Sequence, residues 1–385
     1  MWLCVLSLAL AVEPGPSLSP SELLDLVGDH PAIAAAEAAQ AGAIAGVEAM
    51  PRLMDPMVEA MVAPLSFTDD PHHGAGPGVS VLVSQPLGPW GGRQAAVEVE
   101  RAMAQRAGHA VERARADLAR ELLAMHAAWW SAERAVEAAA DHEALVAQSV
   151  TSRGDRYATG QGMADDAYRA QLEQLMAAAD RAAMEGMRDE MRARLEAMAG
   201  RPLPPPTLGE VAAPAAPVAE QAQAEVDEAI ARRVAVGREG RPGLRLNASY
   251  SSMWDAPAHQ WMLGVGTELP IAARARQAAL DQADAGVDAA RAQAASMARE
   301  LEAARAAAEA RLAAATADRR QREAALPVHE ARLQALTEAY AVGEIAPDML
   351  WMASRERTEA RLAAARAQAA EHLARVERDA WGGAR

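Results

Sequence analysis

The spacing of hydrophobic positions changes several times along this chain, and the order of the changes repeats. No proline interrupts Gly92 to Ser152, and within it Leu118, Leu122, Met125, Trp129, Ala132 and Val136 step alternately by four and three residues. That heptad seam predicts one long coiled-coil-like helix, reaching roughly 90 Å at 1.5 Å per residue. Just upstream, Val79, Val81 and Val83 alternate with Ser80, Leu82 and Ser84, the period-two pattern of a strand. This strand, Gly78 to Gln85, pairs as a hairpin with Met57 to Phe67 across the polar loop 68–77. A helix capped by Ser19 opens at Pro20, is interrupted near His30-Pro31 and continues to about Ala49. After a turn between Gly154 and Gly162, a return helix covers Ala164 to about Gly200.

The same plan then recurs. A helix covers about Val218 to Val236, and Leu244, Leu246, Ala248 and Tyr250 alternate with Arg245, Asn247, Ser249 and Ser251. Across the loop Asp255–Ala258, Trp261, Leu263, Val265, Thr267 and Leu269 form the partner strand. A second long helix runs from Ala272 to about Tyr340, with Pro327 predicting a kink, and Pro347 to about Ala380 returns. Local motifs repeat with the plan. Tyr157-Ala158-Thr159-Gly160, five residues before Asp165, matches Tyr340-Ala341-Val342-Gly343, five residues before Asp348. Arg93-Gln94-Ala95-Ala96 matches Arg276-Gln277-Ala278-Ala279 at the same offset. A period this long is that of a duplicated half-molecule, too large for a solenoid repeat. The expected division is a signal peptide over 1–11, a first repeat over 12–200, a Pro-rich linker over 201–217 and a second repeat over 218–385.

Composition narrows what such a chain can do. Aromatic residues make up 3 % of it, too few for an ordinary globular core, and it contains no lysine. A formal charge of −15 argues against nucleic-acid binding, which needs a basic face, and against tight binding to anionic lipid. Met1 to Ala11 is an apolar run ending in an A-x-A pattern, a secretory signal that lacks the usual basic start. Cys4, the single cysteine, leaves with it. No later stretch has about 18 uninterrupted apolar residues, so a membrane crossing would have to be a β-barrel. A soluble sandwich would use the same alternation. However, four strands cannot close a barrel alone, and here they join helices too long for a compact domain. Trp90, Trp254 and Trp261 lie at predicted strand ends, where an interfacial aromatic belt would place them. Three chains would supply twelve strands, an even count.

The doubled order of helix, hairpin, long helix, Y-x-x-G turn and return helix resembles the TolC-like outer membrane efflux proteins over nearly all of the mature chain. His30-Pro31 before an Ala-rich helix, the strand end Ser84-Gln85-Pro86-Leu87 and the two Tyr/Gly/Asp tips are similar to recurrent features of that family. The resemblance implies a mostly α fold with β, internally duplicated, whose long helical hairpins form a periplasmic α-barrel. Its two β-hairpins would contribute four strands to a trimeric 12-stranded outer-membrane β-barrel. It implies a homotrimer in outer membrane lipid, docked through Tyr157, Gly160, Tyr340 and Gly343 onto a periplasmic adaptor (membrane fusion) protein and an inner-membrane pump. The function implied is a passive exit duct for small molecules or toxic compounds, with no cofactor and no enzymatic activity. The family often places two Asp residues three apart on the second return helix, ringing the aperture. Here Asp348 fits the first position and Trp351 stands at the second; Asp165 fits in the first repeat and is followed by Tyr168. A single carboxylate ring with an adjoining aromatic constriction is expected at Asp165, Asp348 and Trp351, although acidic residues in a first turn also favour the helix dipole.

Other patterns lead to weaker alternatives. Met50, Met54, Met57 and Met61, with Met184, Met187, Met191 and Met198, offer thioethers suited to Cu(I), so a copper or silver efflux channel is one alternative. Methionine also serves as flexible core filling. A periplasmic coiled-coil scaffold is the structural alternative. His72 and His73 beside Asp69 and Asp70 belong to a predicted loop, while His142-Glu143 and His329-Glu330 lack the second histidine of a zinc protease motif.

Overall fold

The computed structural model describes residues 17–49, 55–62, 78–160, 163–253, 256–268, 273–342 and 344–382. The predicted signal peptide, Met50, Met54, the loop histidines and Trp254 lie outside them. Helix α1 (Pro20–Asp25) opens on a capping box: Ser19 Oγ accepts from the Glu22 amide at 3.3 Å, and the Glu22 carboxylate accepts from the Ser19 amide at 2.8 Å. These bonds satisfy donors that a helix start leaves open. Helix α2 (Pro31–Ala49) is capped by His30, whose Nδ1 accepts from the Ala32 amide at 3.2 Å. Proline at its first position has no amide to satisfy, which gives the His30-Pro31 pair a structural role.

Strands β1 (Met57–Val62) and β2 (Gly78–Pro89) follow, then α3 (Gly92–Ala158), α4 (Ala164–Ala199) and α5 (Val218–Glu239). Strands β3 (Gly243–Met253) and β4 (Ala256–Glu268) lead into α6 (Ala273–Ala341) and α7 (Pro347–Ala380). The chain is thus mostly helical with one small four-stranded sheet. The hydrophobic period places the long helices to within a few residues, and α6 continues as one helix through Pro327. Strand β4 begins five residues before Trp261, so that residue sits in mid-strand rather than at its end.

Two compact units emerge, and each draws on both halves of the sequence. One comprises 1–33, 114–216 and 302–385; the other comprises 34–113 and 217–301. In the first, the α3 seam is the spine of the core. Leu118, Leu122, Leu123 and Trp129 pack with Leu23 and Ile33 and with Leu195, Leu203 and Val376. The Trp129 indole nitrogen donates to Glu133 at 3.1 Å, so burial leaves no open donor. The Pro-rich linker is fastened at its start. The Leu18 amide donates to the Pro205 carbonyl at 2.8 Å, and the Leu18 carbonyl accepts from the Thr207 amide at 2.9 Å.

In the other unit the sheet order is β1-β2-β3-β4, antiparallel throughout. The ladder shifts between Pro86 and Gly88. Proline has no amide to give a ladder, and Gly88 adopts φ +67°, so the Gln-Pro-Leu segment becomes a bulge inside β2. Below the sheet in sequence, α5 is tied to α3 by Arg113, which donates to Gln221 at 2.9 Å. The buried Glu228 pairs with Arg106 at 3.2 Å and with Arg232.

Candidate functional site

Each unit carries side chains that its own packing does not account for. In the helical unit these lie where the long helices end. At the first tip the Thr159 amide donates to the Asp155 carbonyl and the Gly160 amide to the Tyr157 carbonyl, both at 3.0 Å. Gly160 takes φ +74°, a left-handed conformation that costs a glycine little. Tyr157 is exposed. At the second tip the Glu344 amide donates to the Ala339 carbonyl at 3.0 Å, and Gly343 lies outside the described residues. Tyr340 packs against Leu333, Leu350 and Ala353, so the two tyrosines have different surroundings.

Beside the tips, Asp165 and Asp348 stand in the first turns of α4 and α7, both exposed. Arg169 reaches both: its Nε lies 2.8 Å from Asp165 and its Nη1 3.9 Å from Asp348. One guanidinium therefore ties the two return helices together across water, where such a pair contributes little stability. Trp351 is placed differently from a pore-lining ring. It is 7 % exposed, its indole nitrogen donates to Ser149 Oγ at 2.9 Å, and the Arg153 guanidinium stacks 5.1 Å from its ring centre. Arg153 also donates to the Asp166 carbonyl at 3.1 Å. Trp351 thus anchors α7 to α3, while the exposed neighbours of Asp348 are Met349 and Met352. A cavity of about 310 Å³ lies here, lined by Arg169, Glu173, Asp348, Trp351, Met352 and Arg355 among others.

Sequence reasoning missed several polar residues here. His142, Ser149 and Arg153 are buried and occupy the tipward continuation of the α3 seam, at three- and four-residue steps around Val146. A seam that turns polar is the signal that would have found them.

In the other unit the site is the sheet itself. Residues opposite one another in an antiparallel ladder share a face. The register therefore sets Val58, Val83, Ala248 and Leu263 in one row and Ala60, Val81, Tyr250 and Trp261 in the next, with Leu246 and Val265 paired beside them. Tyr250 and Trp261 touch, ring centres 4.8 Å apart. This apolar face is bare: Leu263 is 87 % and Trp261 75 % exposed. The opposite face carries Glu59, Ser80, Ser84, Asn247, Ser249 and Ser251. Trp90, just past β2, is equally bare. Met57 and Met61 share the polar face with Glu59, whereas Met191 and Met198 pack on the α3 core. Among the described residues no group of three or more His, Cys, Asp or Glu is placed to hold a metal ion. No described helix is long and apolar enough to cross a membrane.

No family model and no curated protein sequence matches the chain. Solved structures do. The outer-membrane channel OprN superimposes with TM-score 0.78 at 16 % identity, covering 95 % of this chain and 90 % of that one. CusC, described through conformational changes accompanying folding and transmembrane channel formation, gives 0.78 at 17 %, over 95 % and 92 %. The open state of the Neisseria gonorrhoeae MtrE outer membrane channel gives 0.74 at 18 %, over 94 % and 89 %. The fold is that of the TolC-like outer-membrane channels. Likeness at this identity shows the fold: long helices accompanied by a small sheet.

Proposed function

We propose that this protein is the outer membrane channel of a tripartite efflux or secretion system, a passive exit duct and not an enzyme. The observation that carries the reading is the bare apolar face of the sheet, whose edge strands among the described residues are β1 and β4. In water such a face and such edges favour aggregation; in a bilayer the face meets lipid and the edges pair once a barrel closes. Three copies would supply twelve strands, and the recurring element order fits a duplicated ancestor with repeats over 12–200 and 218–385 joined by 201–217. Trp90 and Trp261 would then lie against lipid, Trp90 at its boundary. The tips around Tyr157, Gly160 and Tyr340 would meet a periplasmic adaptor, which couples the duct to an inner-membrane pump. Asp165 and Asp348, held by Arg169, would form the aperture, with Trp351 as the anchor behind it.

The test is fractionation of the processed chain followed by planar-bilayer recording. Detergent-extracted, heat-modifiable trimers that conduct ions support the reading, and a water-soluble monomer refutes it. Replacing Asp348 with alanine should raise conductance and weaken block by polyvalent cations; unchanged values would remove the aperture from this position.

A further inference from the structure

His142 stands where three helices meet. It lies on α3 and is 5 % exposed. Its Nδ1 is 2.9 Å from the buried Ser354 hydroxyl on α7, and its Nε2 is 3.9 Å from Glu173 Oε1 on α4. Glu173 also takes a 2.8 Å ion pair from Arg355 of α7. The imidazole therefore hydrogen-bonds one of the helices that carry the aperture residues, α7, and turns a buried Nε2 with no hydrogen-bond partner toward the other, α4. Arg169 lies one turn before Glu173 on α4, and Asp348 lies nearly two turns before Ser354 on α7. Arg169, Glu173 and Asp348 all line the 310 Å³ cavity.

We propose that His142 is a proton-operated latch: neutral, it clips α7 to α3 beside α4 and preserves the Arg169–Asp348 contact, and protonated it lets α7 go. The proposal rests on the channel reading above and adds a trigger to it: acid opens the duct.

The chemistry follows from the inventory of donors and acceptors. A neutral imidazole has one donor and one acceptor. With the proton on Nε2 facing the Glu173 carboxylate, Nδ1 accepts from the Ser354 hydroxyl; this tautomer is assigned from its neighbours. A second proton must enter at Nδ1, where Ser354 already donates, so the hydroxyl has to turn inside a closed packing. The new cation also competes with Arg355 for Glu173. Facing groups divide by helix: Glu173 and Asp180 on α4 favour the charge, while Arg355 and Arg357 on α7 oppose it. The remaining acids are engaged elsewhere. On α3, Asp141 pairs with Arg357 at 3.7 Å and with Arg361, and Glu143 pairs with Arg181 at 3.0 Å. On α6, Glu330 pairs with Arg361 at 3.4 Å, and Arg332 pairs with Glu356 of α7. Burial is the largest influence and holds the imidazole below the ordinary histidine value of 6.5. The latched arrangement thus has its full advantage above that pH and loses it as pH falls below.

The test uses the full chain with Cys4 replaced and spin labels at Tyr168→Cys on α4 and Met349→Cys on α7, in detergent and in planar bilayers. Between pH 7.5 and 5.5 the label distance should lengthen and the open probability should rise several-fold. His142→Asn, which keeps a partner for Ser354 but cannot titrate, should abolish both responses. Glu173→Gln serves as a second variant if that protein fails to fold, and should move the response to lower pH. Responses that are the same with and without His142, or unmoved by Glu173→Gln, overturn the latch. A pH-dependent distance in a protein that conducts at no pH would sustain the latch and overturn the channel reading instead.

Discussion

The two long helices make an instructive pair. They are 67 and 69 residues long, and each follows a β-hairpin, yet within the same compact unit they meet their surroundings in opposite ways. Between 114 and 158, α3 buries Leu118, Leu122, Leu123, Trp129 and Val146. Between 302 and 341, α6 buries Ala308 and Leu333 and, among the described residues, nothing more. Burial of an apolar seam makes α3 helical, whereas α6 relies on intrinsic propensity. Its sequence there is rich in alanine, the best helix former, and laced with pairs one turn apart such as Arg322 with Asp318 at 3.1 Å and Arg319 with Glu323 at 2.5 Å. One helix is an internal strut. The other keeps a slim, small-residue surface suited to a closely packed neighbour, and α4 likewise displays Tyr168, Leu172 and Leu175. In the proposed trimer, those surfaces are what a second copy would cover.

If that contrast is right, truncations should separate the helices sharply. Trp129→Ala on α3 should cost about 3–5 kcal/mol in denaturant unfolding, while Val328→Ala on α6, at 68 % exposed, should stay within ~0.5 kcal/mol; similar costs would erase the distinction. Acid should act through the same buried spine. Burial holds His126 and His142 on α3 and His372 on α7 below the ordinary histidine value of 6.5. The unfolded chain then binds more protons than the folded one, so the melting temperature should fall as pH drops below about 6.5 and be flat with respect to these groups above it. For α6 the sensitive change is in the backbone: Ala307→Gly, at an exposed position, should cost about 1 kcal/mol, more than truncating the bulkier Val328, with helix content followed by circular dichroism. Smallest of all, Arg322→Ala should cost only ~0.3–0.5 kcal/mol in the same assay, and added salt should shrink it.

How much of this could be read from residues alone follows the same contrast. The α3 seam was legible because neighbours on one helix face recur at fixed steps, and the alternation of Val79, Val81 and Val83 likewise located β2. The role of Trp351 was not, because its partners Ser149 and Arg153 come from a helix some two hundred positions earlier. Spacing on α7 suggests only which residues share a face, not what covers it. The start of β4 was misjudged because 256–260 lack the alternation that marks the rest of the strand. The pair His142-Glu143, lacking the second histidine of a zinc motif, gave no hint that the neighbours of His142 are Ser354 and Glu173. Local pattern thus recovers elements, while the junctions between helices depend on contacts that no window along the chain contains.

The bare rims of β1 and β4 also bear on how the protein matures. In the proposed trimer the ladder borrows its outermost hydrogen bonds from other copies, so one copy would not complete it, however long it is given. The closing step of biogenesis would then have a kinetic order above one in chain concentration. Slow synthesis would favour stranded, sticky intermediates, and a burst of it would favour finished product.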